Sequence, residues 1–184
     1  MAEHPIEAAL RTALWQQFGA AIDMLENDLV ACPDTLWQEH LWIDSKGSDY
    51  GTFGDITYHT LYWLDLYLTG RPEEEFTPPA PFKRRSDDVI LRQPYTKDEL
   101  HTYLKYLRKK CQSTITSLSG EKGHQLFYFP WDREHPISYF ELQLYTMRHV
   151  QEHAAQLSLF LGQHAIPDEA LDWVERAKDE AGRL

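Results

Sequence analysis

Four stretches of this chain repeat apolar residues three and four apart over several turns, each bounded by proline, glycine or a capping side chain. That pattern constrains the fold more than any other feature, because a period near 3.6 gives a helix one face to bury and fits no half-buried strand. The first stretch runs from about Pro5 to Ala31, with Ile6, Leu10, Leu14, Phe18, Ala21, Leu25 and Leu29 on one stripe and Pro33 as its stop. The second, "TFGDITYHTLYWLDLYL", runs from about Thr52 to Leu68, with Ile56, His59, Trp63 and Leu66 read as the inward stripe and Gly70 and Pro72 beyond its end. Its β-branched and aromatic residues would also suit a strand, but its length and lack of alternation favour a helix. The third runs from about Lys97 to Leu118 and opens on "TKDE", in which Thr96 can cap the helix while Glu99 reaches back. The fourth runs from about Ser138 to Gln163 and opens on a second such box, "SYFE".

These segments predict an all-α protein, a four-helix bundle in a single domain spanning residues 1–184, with a short amphipathic helix from Pro167 to Ala181 docked outside it and capped by Asp168. The connections are long. One carries "TLWQEHLW"; one, between the second and third helices, carries the proline-rich "RPEEEFTPPAPFKRR" and allows those helices to run parallel. The third, read as a loop, is the aromatic "HQLFYFPWDREHP". Long ordered loops in a small domain often serve function.

Charge and cysteine content narrow the setting. With 18 basic against 29 acidic residues the net charge is −11, which argues against a nucleic-acid backbone or an anionic membrane as main partner. The basic run "FKRRS" at 82–86 is a local basic patch, but it is short and sits in a proline-rich stretch, so a functional anion site is not expected there. Two cysteines, Cys32 and Cys111, are too few for a disulfide scaffold and suit a reducing compartment. No signal peptide or membrane-length apolar run is evident, so a cytoplasmic protein is expected.

The chemistry is carried by histidine. "RHVQEHAAQL" sets His149 and His153 four apart, about 40° from one another on the helix surface. Their stripe passes through Leu142, Tyr145, Gln156 and Phe160, with Gln143, Gln151 and Ser158 read as the opposite face, so both imidazoles are expected to point at the core. Buried imidazoles need hydrogen bonds or a metal ion. A His-x-x-x-His pair can set two ring nitrogens on one cation, as in helical zinc-protease sites. Glu152, off to one side of His149, does not match the protease base. His59, on the second helix, supplies a third ligand. Three neutral imidazoles suit zinc or nickel, or iron or copper, and leave a coordination position open for water or a thiol. Asp55, Tyr62 and Gln156 are the candidates for supporting hydrogen bonds to the ligands. His4, His40, His101, His124, His135 and His164 read as solvated or locally bonded. Trp37, Trp42, Phe127, Phe129 and Trp131 either shape a pocket or form a hydrophobic lid over the bundle end.

The segment "FGDITYHTLYWLDLYL", followed much later by "RHVQEHAAQL", resembles the DinB-like superfamily, which includes YfiT-like proteins. The resemblance spans essentially the whole chain. It implies an up-down-down-up four-helix bundle with a long crossover between helices two and three, and carries the family's metal ligands onto His59, His149 and His153. It further implies a homodimer and a small-molecule substrate, without direct contact to nucleic acid or membrane. The activity it implies first is transfer of a low-molecular-weight thiol to small electrophiles. A hydrolase using metal-bound water and a non-catalytic, metal-binding stress protein are the alternatives. No cysteine lies on the triad stripe, so any nucleophilic thiol is expected to come from a cofactor.

Overall fold

A computed structural model describes residues 5–42, 51–84, 95–167 and 171–179, with side chains from residue 8 onward. The protein is mostly helical. In chain order it has α1 (Pro5–Ala31), α2 (Phe53–Thr69), a 3₁₀ turn (Glu73–Glu75), α3 (Lys97–Thr116), the one-turn α4 (Gly120–Gly123), a hairpin of β1 (Leu126–Phe129) and β2 (Asp132–Ser138), and α5 (Tyr139–Gln163). The ends follow local chemistry. The Thr52 hydroxyl accepts from the Asp55 amide at 3.2 Å and starts α2. Thr96 and Glu99 form a reciprocal capping box on α3, and Ser138 Oγ accepts from the Glu141 amide on α5. Gly70 closes α2 in the left-handed region at φ 66°, and a Cβ there would lie 2.7 Å from the Tyr139 ring, so both backbone and space demand glycine.

Helix α1 packs on α3 and α5, and α2 packs on the same two helices. Their shared core includes Phe18, Ile22, Leu61, Leu104, Val150 and Leu157, each removed almost entirely from water. Polar pairs cross between helices at its edge. Asp28 meets Ser158 at 2.7 Å and Met24 meets Gln151 at 3.5 Å, joining α1 to α5. Glu26 meets His101 at 2.7 Å and Arg108 donates to Asp23, joining α1 to α3. Tyr103 donates to the buried Asp65 at 2.5 Å, and Lys110 donates to the same carboxylate, joining α3 to α2. The Tyr139 hydroxyl donates to Leu68 O at 2.6 Å, joining α5 to α2. Among the described residues no helix is long and apolar enough to cross a membrane.

Helix α2 is covered on almost all sides. On its outer side the crossover segment lays Phe82 and Tyr95 on Tyr58, with ring centroids 6.0 and 4.7 Å away. This explains its apolar, aromatic composition. Its least buried strip is Asp55, His59 and Trp63: of the stripe expected to face inward, Ile56 and Leu66 are buried, while His59 and Trp63 are only half-buried.

Three further expectations are corrected. Residues 171–179 form no helix; they lie along α1 through Ala177 N–H to Gln16 O (2.9 Å) and Lys178 N–H to Asp23 Oδ2 (2.7 Å), while Asp168 falls outside the described residues. Gly19 permits this approach, since a Cβ there would sit 2.4 Å from Ala177 Cβ. The third connection is not a loop but an antiparallel hairpin, with Leu126 opposite Ser138 and Phe129 opposite Asp132. Leu10 is exposed, and Gln143 is fully buried, its side-chain amide donating to Tyr67 O at 3.4 Å. Ile6 lies outside the described side chains.

Candidate metal centre

The face of α5 turned to the core runs through Leu142, Thr146, Val150, Leu157 and Leu161. His149 and His153 sit on the flank of that face and are half-buried, not central to the core as their stripe suggested. His59 occupies the matching half-buried strip of α2. The two flanks meet and bring the three imidazoles together. His59 Nε2 and His149 Nε2 are 3.1 Å apart, and His153 Nε2 and His149 Nε2 are also 3.1 Å apart. One ring nitrogen from each histidine lies within 4.8 Å of the others, close enough to hold one metal ion.

The donors fit such an ion chemically as well. Metal–nitrogen bonds of about 2.0–2.1 Å in a tetrahedral arrangement separate the nitrogens by about 3.3 Å, close to the spacing of the two Nε2 pairs. His153 Nδ1 lies 2.8 Å from Gln156 Oε1. An amide oxygen only accepts, so the Nδ1 carries the proton and the Nε2 keeps its lone pair for a ligand. Gln156 is therefore placed as expected. Tyr62 is fully buried against Phe76, Tyr58 and Trp63, and its hydroxyl donates to Glu73 at 3.4 Å. Asp55 lies on the triad strip two residues before Thr57, and its amide is taken up by the Thr52 cap. Glu152 is exposed, in keeping with a solvated carboxylate.

The other described histidines are engaged elsewhere. His101 meets Glu26, His135 meets Asp132 at 2.9 Å, and His124 and His164 donate to carbonyls one turn back. His40 is exposed and its backbone bridges to Thr52, while His4 lies outside the described residues. In the basic run, Phe82 stacks on Tyr103 and Arg84 donates to Glu73 O and Glu74 O, a structural use. Both thiols are buried. Burial pushes Cys32 up to about 12, and Cys111 is raised further by the same cause, so neither supplies a thiolate.

The aromatic residues divide. Trp37 packs on Gly54 and Phe53 and donates from its indole to Tyr95 O at 3.0 Å, a lid over the start of α2. Trp42 packs on Gly51. Phe127 and Phe129 are buried under the hairpin against Tyr67. Trp131 is exposed and lies against Trp63, the neighbour of His59. Helical periodicity misses the hairpin; the signal that could have found it is the strand-favouring aromatic run "LFYF" bounded by Pro130. Compared with known proteins, the chain matches no family model, no curated protein and no solved structure.

Proposed function

We propose that this chain is a DinB-like metalloenzyme that transfers a low-molecular-weight thiol to small electrophiles, with His59, His149 and His153 holding zinc or nickel, or else iron or copper. The observation that carries this reading is the convergence of three Nε2 atoms from two helices on a half-buried strip. An up-down-down-up bundle is supported by the order of cross-helix partners. Partner numbers rise together along α1 and α5 (Met24 with Gln151, Asp28 with Ser158) and run opposite along α1 and α3 (Asp23 with Arg108, Glu26 with His101). They also run opposite along α2 and α5, with His59 beside His149 and Leu68 beside Tyr139.

A divalent metal held by three neutral imidazoles supplies Lewis acidity toward a thiol or water. The chain's own part is to hold the ligands. Gln156 fixes the His153 tautomer, and burial of both cysteines leaves the nucleophile to be brought from solution. In the substitution, the thiol sulfur forms a bond to carbon, the leaving group departs with its electron pair, and the thiol proton passes to solvent. The acidic chain suits a small-molecule substrate without direct nucleic-acid or membrane contact, while the resemblance favours a homodimer and the two cysteines a cytoplasmic setting.

Metal analysis of purified wild type beside His149→Ala tests the centre: stoichiometric metal is expected in the first and little in the second. Wild type without metal under every loading condition refutes it. Metal-loaded protein is then incubated with several cellular thiols and a chlorobimane. Conjugation above the level of the triple-histidine variant supports thiol transfer. Its absence for every thiol, with turnover of an ester or amide, assigns hydrolysis instead; metal binding with no turnover assigns a storage or sensing protein.

A further inference from the structure

We propose that the open face of Trp131 and the edge of Trp63 form a binding wall for a flat aromatic substituent on the molecule that reaches the three-histidine centre. This assigns a substrate class to that centre and rests on the metal-centre reading.

Trp63 follows His59 by one turn of α2, with ring centroids 6.3 Å apart. Trp131 occupies the two-residue turn between Phe129 and Asp132, at the tip of the hairpin. Its ring stacks on Phe129 at 5.0 Å and 22°, and meets Trp63 edge-on at 6.3 Å and 81°. Phe129 is in turn held against Tyr145, at 5.1 Å, one turn before His149 on α5. Each ligating helix thus carries an aromatic ring one turn from a ligand, and the hairpin joins the two rings.

Trp131 is 63% exposed although one of its faces is covered by Phe129. The opposite face is therefore open, and the ring is braced from behind and from the side. A braced indole that is joined to His59 through Trp63 is a stacking platform whose ordering cost is already met by its neighbours. Stacking on it is worth about five- to tenfold in affinity. Aliphatic groups gain contact there but not the ring–ring term, so the wall discriminates by flatness and aromaticity.

The test uses the full chain loaded with cobalt(II), whose visible absorption reports ligands entering the centre. It is titrated with acetohydroxamate and with 2-naphthohydroxamate, two probes with the same metal-binding head. Trp131→Ala is expected to weaken the naphthyl probe about five- to tenfold and leave acetohydroxamate and the melting temperature unchanged. Trp173→Ala, which removes another exposed indole, is expected to change neither. Equal effects of Trp131→Ala on both probes, or no effect on either, overturn the wall while leaving the centre standing. Cobalt absorption that is absent in wild type, or persists in His149→Ala, overturns the centre and the wall with it.

Discussion

Removing the acceptor behind His153 is the sharpest probe of the centre. Gln156 Oε1 lies 2.8 Å from His153 Nδ1, and the far nitrogen of the same ring lies 3.1 Å from His149 Nε2. Gln156→Leu keeps a similar volume and a good helix former but leaves Nδ1–H with no carbonyl to hold it. The ring then turns more freely and populates the tautomer whose Nε2 is protonated and cannot ligate. Loss of such a supporting partner costs about 10–100-fold in metal affinity, or roughly 1.4–2.8 kcal/mol. Gln156→Glu keeps an acceptor at the same place and should bind at least as tightly as wild type. Zinc affinity, measured by competition with a chromophoric chelator, separates the outcomes, with the metal-free melting temperature as a folding control. If Gln156→Leu binds zinc as tightly as wild type, or as poorly as His153→Ala, the positioning argument is wrong.

Three further outcomes follow from the packing. Asp28 is buried, with no hydrogen-bond partner for Oδ2 among the described residues, and burial pushes its pKa up from 3.8 to about 7 against the Ser158 hydrogen bond. The folded state therefore holds a proton that the unfolded state releases, so this site's contribution to stability is present below about pH 4 and declines as pH rises to about 7. Asp28→Asn should match wild type in urea near pH 5 more closely than near pH 8, where it should gain up to about 4 kcal/mol relative to it; a pH-independent difference would refute the reasoning. Gly19→Val forces a side chain into Ala177 and should release residues 171–179, read as faster hydrogen exchange at the Ala177 amide with the helices still protected. Leu61→Ala leaves a hole in a site fully closed to water and should cost about 2–5 kcal/mol in chemical denaturation.

Local chemistry is legible in the amino-acid sequence alone. The Pro5–Ala31 helix, the caps at Thr52, Thr96 and Ser138, and the stop at Gly70 depend on residues within a few positions of one another, and periodicity and capping rules read such signals directly. The neighbourhood of His149 and His153 is legible for the same reason, since one helical turn fixes it, as is the nearness of Gln156. Cysteine count and charge bound the chemistry without reference to shape.

Tertiary structure decided everything that depends on who covers whom. Helix α2 offers apolar residues on nearly every side, so its sequence does not say which strip stays open. The crossover aromatics Phe82 and Tyr95 close the Tyr58 side and leave His59 and Trp63 at the surface. Gln143 is buried because Tyr67 offers it a carbonyl, a partner 76 residues away. Residues 171–179 have an amphipathic pattern but spend their backbone hydrogen bonds on α1 and on Arg108 of α3, and Gly19 lets them approach. The hairpin places Trp131 beside Trp63 through a strand pairing that no helical period encodes. Short-range spacing thus determined the four long helices and the pairing of His149 with His153. The placement of His59 against them, and the depth at which all three sit, came from long-range packing, in which burial is set by neighbours distant in the chain.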